Sequence, residues 1–471
     1  AASDVYKRQA QGLRVKVIDV QDIFDEFSYG MTTPAAIKDF LAYAYGNWNG
    51  PAPRYVLLAG DATYDFHDRW GTHKVNYVPT YLSFTRYMGE TATDEWYATI
   101  SGDDAVPDLY IGRLPAASAA EAKIMADKIV SYENAANSKS WEQDVLLVAD
   151  NQDEQWEAVF ETTNNEAAAL VPDGMNSPFK GYLRVYQENG WDLNAELVDA
   201  INDGALMVNY AGHGSYNTWA NERILDSGDM AFLDNPGRLP FFVSMSCLNG
   251  YFVNTAAWDA TPLVELLMGL DNKGSVAALM PTGMTTTVGQ HILNTALFEE
   301  IFTKDRRQLG AAIAHAKMTL LANGDAYFEE ISKTFLLFGD PAMQLKAPIP
   351  RRPSRVVAQQ QGLAAVALSW NEATDADGNA VTGYNIYRKK AADTGYTLIN
   401  SQPIADAGFT DDQMAIGTRH YYIVRSVDGD GIESVDSDSV SIVPSAPVTN
   451  LSGSASGGGG GGGCFISSAQ N

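Results

Sequence analysis

Short apolar segments that alternate with amphipathic ones constrain the fold of this chain more than any other feature of its sequence. The apolar segments are rich in β-branched residues and too short for buried helices, a pattern typical of strands buried on both faces of a parallel sheet. They are LRVKVIDV, RYVLLAGD, DVLLVAD, ALMVNYAGHG, FFVSMSC and GSVAALMPTG. Stretches with helical periodicity lie between them, such as Ala119 to Asn134. The alternation over residues 12–346 therefore predicts an α/β fold.

A polar break, SKSWEQDV at residues 138–145, separates two blocks of this pattern. We therefore predict two consecutive α/β subdomains, one over residues 10–140 and a second, with a mostly parallel sheet, over residues 141–347. The opening AASDVYKRQ resembles the translation of a sequencing adapter, so we leave residues 1–9 out of the fold reasoning as a sequence artefact. We expect the natural N-terminus and a signal peptide to lie upstream.

A proline-rich linker around Pro350 leads into a region of a different style. Residues 354–445 show strand-like alternation with turn signals, including a tryptophan on an early strand, GYNIYR and DGDGIES. This region resembles a fibronectin type III domain, an all-β sandwich. Its aspartates, Asp428 among them, either bind calcium or form a solvated turn, and the spacing favours the turn. Residues 446–471 form a glycine-rich tail.

Composition excludes several classes of function. The 58 acidic and 32 basic residues give a net charge of -26, which disfavours nucleic acid and anionic lipid as partners. We find no apolar run long enough to span a membrane. The two cysteines, Cys247 and Cys464, exclude a disulfide scaffold and a four-cysteine metal site, although a bridge between them remains an alternative.

Two of the strand-like segments end at a reactive side chain. In each case a glycine follows within three residues. VNYAGHGSYNTW ends its apolar run at His213, and FFVSMSCLNGYF ends at Cys247. The spacing fits one helix-containing crossover and a return strand, so the two ends could be neighbours at the carboxyl edge of a sheet, where ligands bind. A thiol attacks only as thiolate and needs an imidazole or a positive potential to form it. Cysteine catalysis and a purely structural pair both remain open at this point.

An ordered set of motifs favours cysteine catalysis over a purely structural pair. LLAGDATYDF, NYVPTYL, TDEWYATISGDDAVPDLYIGRLPAASAAEAKIMADKIVSYE, NYAGHGS, SMSCLNGYF and LLFGDPAMQL occur in the order and approximate spacing of the gingipain family of cysteine peptidases. The resemblance covers roughly residues 53–346. It implies a caspase-like α/β sandwich with a preceding α/β subdomain, and hydrolysis of peptide bonds. It further implies that Cys247 is the nucleophile, that His213 is the general acid and base, and that the backbone N–H groups of Gly214 and Cys247 form the oxyanion hole.

The resemblance also implies an acidic residue that orients the histidine. We take Asp150, at the end of VLLVAD, as the candidate, with Asp153 and Glu154 close behind it; a solvated acidic loop is the alternative. PTGMTTTVG resembles a wall of the substrate pocket and contains no acid, which puts specificity for a basic residue in doubt. Met284 and Thr285 either line that pocket or pack beneath it.

A carboxylate-rich cluster, Asp61, Asp65 and Asp108, could suggest a metal. We interpret it as caps and turn hydrogen bonds, with Arg113 as an ion-pair partner. We expect no cofactor to be required for catalysis. The resemblance allows structural calcium, without a position that the sequence defines.

The end of the chain, GGGGGGGCFI, resembles short tails of bacterial exported proteins. It implies sorting to or anchoring in the cell envelope, through Cys464 and the sorting machinery, with a plain flexible tail as the alternative. We therefore expect a secreted or cell-surface bacterial cysteine endopeptidase that acts on proteins or peptides. A sortase-like processing peptidase or transpeptidase and a non-catalytic surface adhesion or scaffold protein are the alternatives.

Overall fold

The structure, a computed structural model, describes residues 2–102, 104–135, 141–172, 175–254, 261–346, 349–362, 365–376 and 378–445. The tail with Cys464, and with it the predicted sorting signal, lies outside the described residues. Before the proline-rich linker the strands are β1 (Tyr55–Ala59), β2 (Tyr81–Thr85), β3 (Gly89–Thr93), β4 (Tyr110–Leu114), β5 (Val145–Ala149), β6 (Phe179–Tyr182), β7 (Met207–Ala211), β8 (Gly214–Ser215), β9 (Thr218–Trp219), β10 (Leu225–Asp226), β11 (Phe241–Met245), β12 (Ala277–Pro281) and β13 (Phe335–Phe338). The α-helices are α1 (Ala2–Ala10), α2 (Val20–Ser28), α3 (Pro34–Asn47), α4 (Ala119–Asn134), α5 (Ala158–Leu170), α6 (Leu183–Asn189), α7 (Leu193–Asp203), α8 (Leu263–Gly269), α9 (Thr287–Phe298), α10 (Leu309–Leu321) and α11 (Ala326–Thr334).

One sheet runs through this whole region. Within the described residues it has eight strands in the order β1-β4-β13-β12-β11-β7-β5-β6. Neighbouring strands are parallel except β12 and β13, which are antiparallel. The predicted α/β fold with a mostly parallel sheet is therefore confirmed.

The antiparallel contact divides the sheet into two parallel blocks that run in opposite directions. The first block is β1, β4 and β13, and the second is β12, β11, β7, β5 and β6. β1 and β4 precede the predicted boundary near residue 140, whereas β13 follows it and pairs with β4. The sheet is thus continuous across that boundary.

Two N-terminal segments differ from the sequence analysis. The prediction of a strand in LRVKVIDV is wrong, because residues 13–19 have no regular secondary structure and Val17 is largely exposed; the alternation alone did not supply a partner strand. Residues 2–9 of the segment set aside as an artefact lie in α1. There, buried Arg8 donates to Asp340 and Glu133, each at 2.6 Å.

Helices cover both faces of the second block. α5 packs on α9, and α9 packs on α10 and α11, whereas α4 packs on α8. With right-handed crossovers, α5 and α9 lie on one face of the sheet and α7 and α8 on the other. Strands β5, β7, β11 and β12 are buried along their whole length, as their apolar sequences predict. Their carboxyl ends share one edge of the sheet.

After the linker, the regular elements in the described residues are all β-strands. They form a three-stranded and a four-stranded sheet, each antiparallel, with a separate core in which Trp370 packs edge-on against Tyr384. These strands are β14 (Ser354–Gln361), β15 (Ala365–Asn371), β16 (Gly383–Lys390), β17 (Thr397–Leu398), β18 (Gly408–Asp411), β19 (His420–Val427) and β20 (Val440–Ile442). The turn interpretation of Asp428 agrees with its carboxylate, which accepts the N–H groups of Asp430 and Ile432.

Across the described residues, no helix combines the length and the apolarity that a membrane span requires.

A partly buried ion cluster joins the first block to the chain that follows β11. The ammonium group of Lys74 lies 2.9 Å from Asp61 Oδ2 and 3.5 Å from Glu265 Oε1 on α8. The same group donates to the carbonyl oxygen of Phe252 at 2.7 Å. Burial raises the pKa of Glu265 to about 8, against the opposing pull of Lys74. Lys74 therefore contacts the carboxyl groups of both Asp61 and Glu265. The raised pKa of Glu265 favours its protonated form at neutral pH.

Replacing Glu265 by glutamine should change how stability depends on pH. The folded state holds the Glu265 proton up to about pH 8, whereas an ordinary glutamate releases it near 4.5. The folded state thus binds more protons between these values, and the free energy of unfolding falls as pH rises through that window. Glutamine removes this titration, so Glu265→Gln should gain stability relative to wild type from about pH 5 to about pH 8.

Urea unfolding followed by tryptophan fluorescence at several pH values measures this difference. Glu329→Gln, at a half-exposed position of α11, is the control and should show a constant difference from wild type. An equally constant difference for Glu265→Gln would contradict the protonation that we assign to the cluster.

Candidate active site

The carboxyl ends of β7 and β11 lie side by side. The two strands pair in parallel, and Ala211 at the end of β7 is opposite Met245 at the end of β11. His213 lies two residues after Ala211, and Cys247 lies two residues after Met245. The structure therefore places the two reactive residues at the same level of one sheet edge.

The segment that opens α5 holds the imidazole of His213. The ring Nε2 lies 2.8 Å from Oε1 of Glu157. Trp156 and Phe160 pack against the ring edge to face, with centroid distances of 5.9 and 5.5 Å. The side chain of His213 is still 53% exposed. The ring is thus fixed on one side and open to solvent on the other.

Glu157 determines which nitrogen of His213 can act as a base. It is buried, and its Oε2 accepts the backbone N–H of Glu154 at 2.7 Å. Burial works against ionisation, but the hydrogen bonds from the His213 ring and from the backbone outweigh it and hold the pKa of Glu157 below its usual range. An ionised carboxylate can only accept, so Nε2 donates and Nδ1 is left as the basic nitrogen of the neutral ring.

Asp150, the predicted partner of the imidazole, contacts His213 through the main chain instead. Its Oδ2 accepts the backbone N–H of His213 at 3.0 Å, and its Oδ1 accepts the N–H of Asn151 at 2.8 Å. Burial raises the pKa of Asp150, although these hydrogen bonds lower it in part. Because both carboxylate oxygens serve backbone groups, the contact to the ring that we expected of Asp150 is made by Glu157.

The thiol of Cys247 lies partly buried at a sharp turn. Its Sγ is 3.9 Å from the carbonyl oxygen of Thr285. Burial raises the pKa of the thiol more than the contacts with Thr285 lower it. Leu248 has φ of 64°, which is uncommon outside glycine, and its N–H donates to Gly283 at 3.2 Å. We call residues 246–251 the cysteine turn.

The chain after His213 forms a short hairpin of β8 and β9, the histidine hairpin. The N–H of Ala220 donates to the carbonyl of His213 at 2.9 Å. Antiparallel pairs alternate, so the next pair, Gly214 and Trp219, is a pair without hydrogen bonds, and the N–H of Gly214 points away from β9. A Cβ on Gly214 would come within 2.8 Å of the carbonyl oxygen of Cys247. Glycine here allows the histidine hairpin to approach the cysteine turn closely.

A buried amide ties these two segments together. The side chain of Asn249 accepts hydrogen bonds from Ser244 and Ser246 at 2.8 and 2.5 Å. It donates to the carbonyl groups of Ser215 and Thr218 in the histidine hairpin at 2.5 and 3.2 Å. Asn249 is fully buried, so these bonds lie in a low-dielectric setting where an unmet partner would be costly.

The predicted pocket residues also lie beside the cysteine turn. Thr285 Oγ1 and Gln290 Nε2 both donate to the carbonyl of Ser246, at 2.9 and 2.7 Å. Met284, the residue before Thr285, is 45% exposed. Thr285 thus supports the peptide that carries Cys247, whereas Met284 faces solvent near it.

The described residues contain no group of three or more His, Cys, Asp or Glu side chains placed to hold a metal ion. Asp61, Asp65 and Asp108 accept backbone N–H groups, as the interpretation as caps and turns predicts. The hydrogen-bonded partner of Arg113 is Asp94, at 2.6 and 2.8 Å, instead of this cluster. These carboxylates therefore cap local backbone turns, and structural calcium stays a prediction without a defined position.

Sequence reasoning missed Glu157, Asn249 and Gln290. Glu157 lies three residues beyond the last acid that we considered, in the turn before α5, where a spacing of three between Glu154 and Glu157 is typical of a helix start. Asn249 and Gln290 act through main-chain carbonyl groups that only the folded turn brings within reach.

Comparisons with known proteins identify the family and the fold. A family model described as "Peptidase family C25" matches residues 3–346. Gingipain R1 of Porphyromonas gingivalis is 22% identical over 462 residues, which are 96% of this chain and 42% of that protein. Gingipain R2 of the same species is 24% identical over 384 residues, 80% of this chain and 48% of that protein. The chain thus spans less than half the length of these relatives.

A solved structure shares the fold. The crystal structure of the Arg specific cysteine proteinase gingipain R superimposes with a TM-score of 0.60 and 21% identity, covering 93% of each chain. At that identity the likeness supports the α/β fold alone.

Removing the carboxylate of Glu157 should release the preferred tautomer of His213. In wild type at a pH where the ring is neutral, nitrogen-15 NMR of the labelled ring should show the proton mainly on Nε2. In Glu157→Ala the proton should distribute over both nitrogens, because the acceptor is gone. Glu161→Ala, one turn further along in α5 and bonded to Arg184, should keep the wild-type pattern. Unchanged populations in Glu157→Ala would contradict the role of Glu157.

The raised pKa of Cys247 should appear in its alkylation rate. Thiolate reacts with iodoacetamide and thiol does not, so modification of Cys247 should be slow at neutral pH. The rate should rise with a midpoint above that of an unperturbed cysteine, about 8.5. Mass spectrometry of the Cys247 peptide over time measures this, with N-acetylcysteine amide as the reference thiol. Fast, pH-independent alkylation from about pH 6 upward would show that the resting sulfur is already a thiolate.

Proposed function

Because this chain belongs to peptidase family C25, we propose that it is a cysteine peptidase with Cys247 as nucleophile and His213 as general base and acid. One observation carries the proposal. The two residues occupy equivalent positions beyond the paired ends of β7 and β11, and Glu157 leaves Nδ1 of the imidazole as the base.

The first half of the reaction breaks the peptide bond. Nδ1 of His213 takes the proton of the Cys247 thiol as the sulfur attacks the scissile carbonyl carbon. The raised pKa of the thiol makes this transfer necessary, because little thiolate exists beforehand. The N–H groups of Gly214 and Cys247 donate to the developing oxyanion. The imidazolium then protonates the leaving amine, and a thioester to Cys247 remains.

The second half restores the enzyme. His213 removes a proton from water, the resulting hydroxide attacks the thioester carbonyl, and the sulfur leaves as the new carboxyl group forms. Proton return from the imidazolium gives back the thiol. Glu157 stabilises the positive ring in both halves and keeps its orientation. No cofactor takes part in this sequence.

The preference for the residue before the scissile bond is proposed from the sequence of this chain. The arginine specificity in the name of the similar solved structure belongs to that protein. Here the loop at residues 281–289 has no carboxylate to pair with a basic side chain. We therefore propose that Met284 and Thr285 border a pocket for an uncharged residue before the scissile bond.

We also propose that residues 354–445 are a fibronectin type III domain and that the protein is exported and acts as an endopeptidase at the cell surface. Two antiparallel sheets of three and four strands with a tryptophan on the second strand support the domain. The resemblance of the GGGGGGGCFI tail to those of exported proteins supports the location.

Substitution of either reactive residue should abolish peptide hydrolysis. Cys247→Ala and His213→Ala should each lower kcat/KM toward a mixed peptide library by about 1,000-fold or more, because nucleophile and base act as one unit. Cys464→Ala is the matched control and should cleave like wild type. Product peptides identified by mass spectrometry also report the cleavage positions.

Four outcomes separate the candidates. Cleavage at many sites, lost in Cys247→Ala, supports a general endopeptidase. Cleavage of a single tail sequence would indicate a processing enzyme. Unchanged cleavage in Cys247→Ala would contradict the catalytic assignment, and absence of cleavage by wild type would favour a binding or scaffold role.

A further inference from the structure

Four aromatic side chains border the cysteine turn on the α8 side of the sheet edge. The rings of Tyr216 and Tyr251 lie with centroids 5.2 Å apart. Tyr64 stacks on Trp70 with centroids 6.2 Å apart and an angle of 14°. The backbone N–H of Tyr64 donates to Val253, two residues beyond Tyr251, at 3.0 Å. We call Tyr64, Trp70, Tyr216 and Tyr251 the aromatic arc.

Two members of the arc are attached directly to the reactive segments. Tyr216 lies at the tip of the histidine hairpin, and Tyr251 is the last residue of the cysteine turn. The carbonyl of Tyr216 accepts the N–H of Leu263, the first residue of α8, at 2.8 Å. Neither ring can shift far without moving the chain that carries His213 or Cys247.

The arc continues to the proposed pocket wall. The hydroxyl of Tyr64 donates to Glu90 at 2.8 Å. The next residue, Thr91, packs on Gly283 so closely that a Cβ there would lie 2.8 Å from its methyl group. Gly283 directly precedes Met284. Hydrogen-bond and packing contacts thus link Tyr64 of the aromatic arc to the proposed pocket wall.

The arc offers apolar faces and a hydroxyl donor together. Trp70 is 60% exposed, and the three tyrosines are partly buried. Burial raises the pKa of Tyr251 to about 12 and raises that of Tyr216, while the bond to Glu90 raises that of Tyr64. All three phenols thus stay neutral over the working pH range. Flat rings of this kind stack on aromatic and proline side chains. A phenol has one O–H, and Tyr64 donates its own to Glu90, which leaves the hydroxyl of Tyr251 to donate to a peptide carbonyl.

We propose that the aromatic arc binds the substrate polypeptide on one side of the scissile bond and selects an aromatic or proline residue there. The inference rests on the proposed peptidase function, because it makes the chain that crosses between His213 and Cys247 the occupant of the arc. Continuity of the arc with both reactive segments argues for that occupant. The acidic surface, with a net charge of -26 and Glu90 at the arc, disfavours acidic peptides.

Cleavage preference tests this proposal. A mixed pool of 14-residue peptides is digested by wild type, Trp70→Ala, Tyr64→Ala and, as control, Phe232→Ala, whose exposed ring lies at the opposite, amino-terminal edge of β7 and β11. Mass spectrometry gives the residue preference at each position around the cleaved bond. Wild type and Phe232→Ala should enrich aromatic and proline residues on one side. Both arc variants should lose that enrichment at least about fivefold, the size expected for one aromatic contact.

A binding measurement tests the preference of the aromatic arc without relying on peptide cleavage. Immobilised Cys247→Ala captures peptides from the same pool, with and without Trp70→Ala, and thermal melting checks that each variant is folded. Captured aromatic and proline peptides that depend on Trp70 support the arc even if wild type cleaves nothing, an outcome that would contradict only the peptidase proposal. Equal preferences in Trp70→Ala, Tyr64→Ala and Phe232→Ala, or no enrichment in either measurement, would overturn the arc.

Discussion

The parallel pairing of β7 with β11 in a single register is the constraint on which the candidate site depends. Ala211 faces Met245, so the chain leaves both strands at the same level and His213 and Cys247 follow at equal distance. Because side chains alternate between the two faces of a strand, a slip of one residue would turn one reactive group away from the other. Helices cover both faces of these strands, and every residue of β7 and β11 is buried. This packing holds the two strands in their register. Asn249 then fixes the two loops relative to each other beyond the end of the sheet.

The electrostatics of the candidate site favour an ionised Glu157 and a protonated Cys247 in the resting protein. Glu157 is ionised and holds one nitrogen of the imidazole, while burial keeps the nearby thiol protonated. A thiol is less easily oxidised than a thiolate, so burial of the thiol protects Cys247 from oxidation in the resting protein. Asp150 contributes differently, because it secures the backbone of His213 in place of its ring. Asp150 thus holds the main chain of His213, and Glu157 orients its side chain.

Much of this arrangement could be predicted from sequence because it depends on strand ends. Apolar runs that stop at His213 and Cys247 indicate both the sheet and the edge where reactive groups collect. Glu157 could not be chosen over Asp150 in the same way, since the difference lies in which acid reaches the ring and which reaches the backbone. Asn249 and Gln290 bind carbonyl groups, which every residue has, so no pattern of residue types marks them. LRVKVIDV shows the converse: a strand-like pattern without a partner strand stays irregular and exposed.

The central claim is that Cys247 carries the acyl group of the substrate during turnover. Rapid mixing with a cleaved peptide, acid quench and mass spectrometry of the digested protein would locate that group directly, because thioesters survive in acid. The account predicts a transient mass increase equal to the acyl fragment on the peptide that contains Cys247. Turnover of the peptide with no adduct on Cys247 at any time point, or with the adduct on another residue, would contradict it.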